Sequence, residues 1–348
     1  MSLSPGKYWS IRRLTDDNGL FKMVAVDQRP PIMQLVQKKR GVETASYEDV
    51  AAAKVSLTKV LAPHVTAMLL DPIWAWPNAH RYVKPSSGLV MTLEDHAFSE
   101  DGKGRRSSSI ADWSVAKIKA MGADAVKVLA WYRPDGDPET RRFQQDYVRT
   151  IGEACRKYDI CFLFELLTYP LPGESGQTTD YIEHDSKSAR NVIESVREFA
   201  DPRYGVDIFK LESPVPAPRV PAPGEAGSEK VQALFDEMGE ICPVPWVMLS
   251  AGANMQEFGR ILSYAYKAGA SGYLAGRAIW LKAMQAFPDL AAVEDELQKE
   301  AVPYMRDLNR MTDDTATPWF DHPAFGGAPE VEGMGPDFAR SYTPAMGV

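Results

Sequence analysis

Two lysines and several carboxylates stand at the carboxyl ends of short apolar runs, the placement that could support chemistry on a carbonyl. The run Val206-Asp207-Ile208-Phe209-Lys210-Leu211-Glu212 is bounded by Asp201-Pro202-Arg203-Tyr204-Gly205 and by Ser213-Pro214, the pattern of a buried strand. Side-chain alternation puts Lys210 and Glu212 on one face with Val206 and Ile208. An ammonium among such neighbours is costly to bury. Lys210 therefore pairs with Glu212, reaches solvent at the strand end, or is held in a reactive form. Lys127 lies within a similar run, and Glu165 ends another. Two lysines brought together repel, which favours a neutral amine in one of them. A neutral amine is the nucleophile that Schiff-base chemistry requires, and Glu165 would then move protons for it. The competing reading of Lys127 and Glu165 is a structural ion pair.

Other runs end in groups suited to an anion. Asp27, Gln28 and Arg29 follow the first run, and Asp71 follows the second. Ser250-Ala251-Gly252 and Gly276-Arg277 end the last two. Small residues there let backbone amides approach a phosphate, helix N-termini favour an anion, and Arg277 adds a forked, permanently charged donor.

These groups can meet only if the runs share one face. Apolar runs at 22–26, 66–70, 88–91, 125–130, 160–165, 206–212, 246–249 and 272–275 alternate with helix-period segments. Among those helices, Ser46 to Leu61 carries one apolar stripe. Another is expected to begin at Ser109 and stop at Gly122. A third is striped by Phe143, Tyr147, Ile151, Cys155 and Tyr158, and a fourth covers roughly 186–199. Residues 94–108 read as a long loop, and Pro30-Pro31 as a stiff turn. Eight strands alternating with helices give an α/β fold, a (β/α)8 TIM barrel in which all strand carboxyl ends open on one face. An open doubly wound sheet is the other candidate, but no Gly-x-Gly-x-x-Gly follows an early strand. The reading is a single domain over 1–348, with the barrel at about 22–288. An N-terminal extension forms a helix or lid over one end. A C-terminal helix and extended arm at about 289–348 pack on the barrel or a neighbouring subunit.

The balance of 39 basic against 47 acidic residues leaves a net charge of −8, which argues against a nucleic-acid binder. Three cysteines, Cys155, Cys161 and Cys242, are too few and odd in number for a disulfide framework. With no signal-peptide core and no run of 18 apolar residues, a cytoplasmic location without membrane contact is expected. The five histidines, His64, His80, His96, His184 and His322, show no paired metal-ligand spacing and read as surface or packing residues.

The segments Val26-Asp27-Gln28-Arg29, Gly122-Ala123-Asp124-Ala125-Val126-Lys127, Phe164-Glu165-Leu166 and Asp207 to Val215 resemble class I tagatose-1,6-bisphosphate aldolases. Leu249-Ser250-Ala251-Gly252 and Gly276-Arg277-Ala278-Ile279-Trp280 continue the match in order, over roughly residues 20–285. The resemblance implies a carbon–carbon lyase with Lys210 as Schiff-base lysine, Glu165 and Lys127 as the proton-transfer pair and Asp27 as support. Ser250, Gly252, Gly276 and Arg277 would bind phosphate, and Gln28 and Arg29 the substrate or its second phosphate. Glu212 is a secondary candidate. No cofactor or metal is expected, and a homo-oligomer, dimer or higher, is expected by analogy. The family's sulfosugar branch, cleaving 6-deoxy-6-sulfofructose 1-phosphate, shares these parts. A metal-dependent aldolase, a Schiff-base enzyme for another ketose and a metabolite-sensing protein on the same scaffold are the other readings.

Overall fold

The computed structural model describes residues 1–177 and 187–343. Its eight central strands are β1 (Phe21–Ala25), β2 (Ala67–Leu70), β3 (Gly88–Thr92), β4 (Ala125–Trp131), β5 (Cys161–Leu167), β6 (Ile208–Leu211), β7 (Trp246–Met248) and β8 (Gly272–Ala275). All are parallel, each pairs with the next, and β8 returns to β1, closing a (β/α)8 barrel. Such strands are covered on both faces, which is why they read as nearly unbroken apolar runs.

Alternation divides each strand between two cores. Phe21, Met23, Ala67, Leu69, Val90, Ala125, Leu163, Ile208, Val247 and Leu274 fill the barrel interior. Val24, Met68, Leu70, Val126 and Val128 pack outward, in one cluster with residues of the surrounding helices. The amino-terminal end of the barrel is closed by helix α1 (Pro5–Leu14), through Ile11 and Leu14, and by Trp319 and Phe325 of the tail. Helix α1 and the described part of the tail therefore lie opposite the strand carboxyl ends. The tail folds onto its own barrel: Glu330–Val331 pairs in parallel with Ser2–Leu3, and the Tyr342 hydroxyl donates to Asp159 Oδ2 at 2.6 Å.

Several expectations shift locally. Pro30 and Pro31 open a helix, α2 (Pro30–Arg40), rather than only stiffening a turn; proline suits a first turn, whose N–H groups lack intrahelical partners. Helix α3 (Tyr47–Leu61) starts as expected, with the Ser46 hydroxyl accepting the Asp49 amide. The helix expected from Ser109 is shorter, Val115–Ala120, and Ser114 caps it. Ser109 instead bridges to Glu94, and the loop ahead of it folds into a small antiparallel pair, Ser99–Glu100 with Arg105–Arg106. In helix Pro138–Lys157 the inward face is Thr140, Gln144, Val148, Ile151 and Cys155, while Phe143 is exposed. The fourth helix spans Ala189–Phe199; residue 186, where it was expected to begin, and His184 lie outside the described residues. Among the described residues no helix is long and apolar enough to cross a membrane.

Candidate active site

Parity carries the site. Along β3, β4, β5 and β6, the interior positions continue from Val90 to Thr92 and Glu94, from Ala125 to Lys127, from Leu163 to Glu165 and from Ile208 to Lys210. Glu165 and Lys210 are register partners on β5 and β6. Polar side chains thus form the floor of a cleft directly above the apolar layers. That cleft is lined by Asp27, Gln28, Arg29, Glu94, His96, Lys127, Trp131, Glu165, Lys210, Ser250, Gly276 and Arg277, among others.

The lysines do not simply face each other; they share a carboxylate oxygen. Glu165 Oε2 lies 2.9 Å from Lys210 Nζ and 2.8 Å from Lys127 Nζ. Lys127 also donates to Glu94 Oε1 at 2.6 Å and Asp27 Oδ2 at 3.0 Å. Thr92 donates to the same Asp27 oxygen at 3.0 Å. Arg29 reaches the Glu94 carbonyl at 3.0 Å. All of these ionic side chains are buried.

At Lys127, Asp27, Glu165 and Glu94 burial works against charge, and the neighbours decide the outcome. Lys127 would lose its proton to burial, but Asp27, Glu165 and Glu94 hold it above the ordinary lysine value. Asp27 is buried too, yet Lys127, then Lys210 and Arg29, hold it below the usual carboxylate range. At Glu165 burial is likewise overcome by the two lysines, and its value is lowered. Glu94 is the exception. Burial raises Glu94, Asp27 beside it adds to the effect, and Lys127 and Arg29 do not overcome it.

That exception is testable. Because Glu94 rises above its ordinary value of 4.5, its protonation supports the fold below that pH, and the support is lost as pH rises through the folded value. Glu94→Gln keeps an oxygen for Lys127 and removes the titration. The melting temperature of the variant relative to wild type should climb as pH is raised from the acid side toward neutrality. A difference independent of pH would show that folding does not shift the Glu94 titration.

At the opposite wall, Ala251 and Gly252 both have positive φ, 49° and 85°. The Ala253 amide closes this turn on the Ser250 carbonyl at 2.7 Å. Arg277 lies over the turn, its guanidinium 3.8 Å from where a Gly252 Cβ would stand. A Cβ on Gly276 would come within 2.5 Å of Gln28 Nε2, so glycine there lets β1 and β8 ends close together. The expected helix N-terminus follows this turn at Met255. Helix Met255–Lys267 begins only after Asn254, and Asn254 and Glu257 fill its first turn with a capping box. After Gly276 the helix is a single turn, Arg277–Trp280. Donors on this wall include turn amides, Ser250 and Arg277.

Two expected groups leave the cleft. Glu212 takes the Thr168 amide and hydroxyl at 2.6 and 2.9 Å and pairs with Lys187 at 2.9 Å. Asp71 is wholly buried against Lys54. Two further residues line the cleft, Glu94 from the stretch read as a loop and His96, read as a surface or packing residue. Continuing the period of Val90 and Thr92 reaches Glu94. His96 sits at the rim, its Nδ1 3.1 Å from Asp95 and its ring edge-on to Trp74. Burial and Arg29 lower its pKa. Among the described residues, three buried atoms facing this region have no hydrogen-bond partner: Gln28 Oε1, Arg29 Nη1 and Glu94 Oε2. No group of three or more His, Cys, Asp and Glu side chains there is arranged to hold a metal ion.

Comparison with known proteins shows the family and the fold. The profile of the DeoC/LacD family aldolase matches residues 21–282. Tagatose 1,6-diphosphate aldolase 2 of Streptococcus mutans is 31% identical over 94% of this chain and 100% of its own. Tagatose 1,6-diphosphate aldolase of Listeria innocua is 31% identical over 92% and 95%, and that of Streptococcus agalactiae 32% over 92% and 99%. Among solved structures, an archaeal fructose-1,6-bisphosphate aldolase with its catalytic lysine bound to a carbinolamine superposes with a TM-score of 0.55 at 15% identity, covering 88% of this chain and 99% of that one. The Plasmodium falciparum fructose-bisphosphate aldolase gives 0.64 at 10% identity, covering 91% and 98%. With a family profile spanning the whole barrel and relatives aligned over nearly their full length, the chain belongs to the DeoC/LacD family of aldolases.

Proposed function

We propose that this protein is a class I aldolase that cleaves tagatose 1,6-bisphosphate or a close relative, with Lys210 as the Schiff-base lysine. The carrying observation is the single Glu165 oxygen within hydrogen-bond distance of both Lys210 and Lys127. An amine that must shed a proton before attacking, and regain one later, needs such a group beside it.

Lys210 Nζ adds to the keto carbon of the ketose, and loss of water from the carbinolamine leaves an iminium. Glu165 then takes the proton of the C4 hydroxyl while the C3–C4 bond breaks. Its electron pair moves into the iminium, giving an enamine and releasing a three-carbon aldehyde such as glyceraldehyde 3-phosphate. Protonation of the enamine and addition of water return the lysine and dihydroxyacetone phosphate. Lys127, fixed as a cation, holds the ketose hydroxyls, and Asp27 keeps it in place. The turn amides, Ser250 and Arg277 suit one phosphate. Arg29 Nη1 offers a donor to a second anionic or hydroxyl oxygen, and Gln28 Oε1 and Glu94 Oε2 accept from hydroxyls. Such a set fits a polyhydroxylated, phosphorylated chain. In this mechanism the iminium itself is the electron sink.

Reductive trapping tests the proposal. Incubation with dihydroxyacetone phosphate and then borohydride should leave a stable adduct on the Lys210 peptide by mass spectrometry, in equal yield with EDTA present. An adduct elsewhere, or none on demonstrably folded protein, would move the reading to a metabolite-binding scaffold. Loss in EDTA would favour a metal-dependent aldolase.

A further inference from the structure

Lys54 and Asp71 are fully buried and stand outside the cleft. Lys54, on α3, sends its Nζ to Asp71 Oδ2 at 2.6 Å and to the Val26 carbonyl at 2.7 Å. The other Asp71 oxygen takes the amides of Ile73 and Trp74 at 3.0 and 2.8 Å. The carbonyl one step earlier, Ala25, is held by Trp280 Nε1 at 3.0 Å. The last two carbonyls before Asp27 are thus pinned by side chains from two different helices. On the other side of Asp27-Gln28-Arg29 the chain enters α2 through Pro30 and Pro31. Three cleft residues therefore form a short strap between two fixed ends.

A buried ion pair is a poor source of stability, because desolvation offsets the attraction and an apolar pair of similar volume often does as well or better. Its placement is more informative here. The ammonium is aimed at the carbonyl immediately before Asp27, whose carboxylate must meet Lys127 at 3.0 Å.

We propose that Lys54 and Asp71 are positioning residues for the aldol reaction. They fix the peptide entering Asp27-Gln28-Arg29, and through Asp27 they set the orientation of the Lys127 ammonium against Glu165. This rests on the role given above to Lys210, Glu165 and Lys127.

The test replaces the pair with apolar residues, Lys54→Met with Asp71→Leu, and reads three quantities: melting temperature, kcat with KM, and the crystal structure of the variant. The variant should melt below wild type, because the Val26 carbonyl and the Ile73 and Trp74 amides lose partners, yet stay folded in the assay. Its kcat should fall on the order of 10²-fold, as expected for a misplacement of about 1 Å, with KM little changed. In the variant structure the Asp27–Lys127 contact should be displaced. Wild-type kcat in this folded variant, or an unmoved Asp27–Lys127 contact, would overturn the proposal. The structural comparison needs no turnover, so an inactive wild type would sink the aldolase reading while still testing the positioning. If the double variant does not fold, Asp71→Asn keeps the oxygen serving Ile73 and Trp74, and the same two outcomes apply to it.

Discussion

Replacing Lys210 by Met should lower kcat/KM on the order of 10⁵-fold, the scale seen when an enzyme loses its covalent nucleophile. Methionine has nearly the length of lysine and no amine, so it fills the space between β5 and β7 without offering a nitrogen to the keto carbon. The fold should survive. Lys210 contributes one of two ammonium contacts to Glu165, and the other, from Lys127 at 2.8 Å, remains. Burying a thioether where an ammonium stood also removes a desolvation cost. The variant should therefore show an unchanged circular dichroism spectrum and still bind dihydroxyacetone phosphate non-covalently, since Ser250 and Arg277 are untouched. Steady-state kinetics and a competition assay on the same preparation check both halves. Activity within about tenfold of wild type would remove Lys210 from the mechanism and leave Lys127 as the remaining amine in the cleft.

Lys127→Met should be the more damaging change to the protein itself. Lys127 is the hub of the buried network, and its loss leaves Asp27, Glu94 and Glu165 facing one another without their shared cation. Breaking a buried ionic cluster by deleting one partner costs about 3–5 kcal/mol. The pH dependence should also reverse. In the wild type, Asp27 is held below its ordinary 3.8 by its cationic neighbours against burial. Its contribution is therefore complete above that value and lost as pH falls through the folded value. Without Lys127, burial and mutual repulsion raise the carboxyls above their unfolded values, so the variant loses stability as pH rises. Melting curves between about pH 5 and pH 8 should show a variant that softens toward the alkaline side more steeply than the wild type, in which this network loses only the Glu94 contribution. Turnover should fall by about 10²- to 10⁴-fold, the range for loss of a proton-transfer partner. A variant as stable as wild type with the same pH trend would mean that the three carboxylates do not depend on Lys127.

The two variants separate chemistry from architecture at neighbouring positions. Lys210 touches one carboxylate, so its removal changes the reaction and little else. Lys127 touches three, so its removal changes both.

Much of this site was legible before any coordinates. A strand repeats every two residues, so apolar Ala125, Leu163 and Ile208 dictate that Lys127, Glu165 and Lys210 follow on the same inner face. Eight such strands separated by helices leave little choice but a closed parallel barrel, and closure sends every strand end to one rim. Local rules also located α3, whose Ser46 cap and apolar stripe depend only on nearby residues. They served less well between elements. Pro30-Pro31 suits a turn or the start of a helix, and only the docking of α2 on the barrel selects the helix. Ser109 and Ser114 are both acceptable caps, and the pairing of Ser109 with Glu94 across the loop decides for Ser114.

Pairing among the charged groups was a tertiary decision. Glu212 shares parity with Lys210, yet it turns to Thr168 and Lys187, and Asp71 turns to Lys54. Glu94 reaches Lys127 only because the strand path continues past Thr92. A carboxylate's choice of partner depends on strand stagger and on loops that return from distant parts of the chain. Residue order therefore determined which face each group would occupy. The closed barrel decided which lysine each carboxylate would meet, because ion pairs form across space at about 3 Å, a distance that no local pattern encodes.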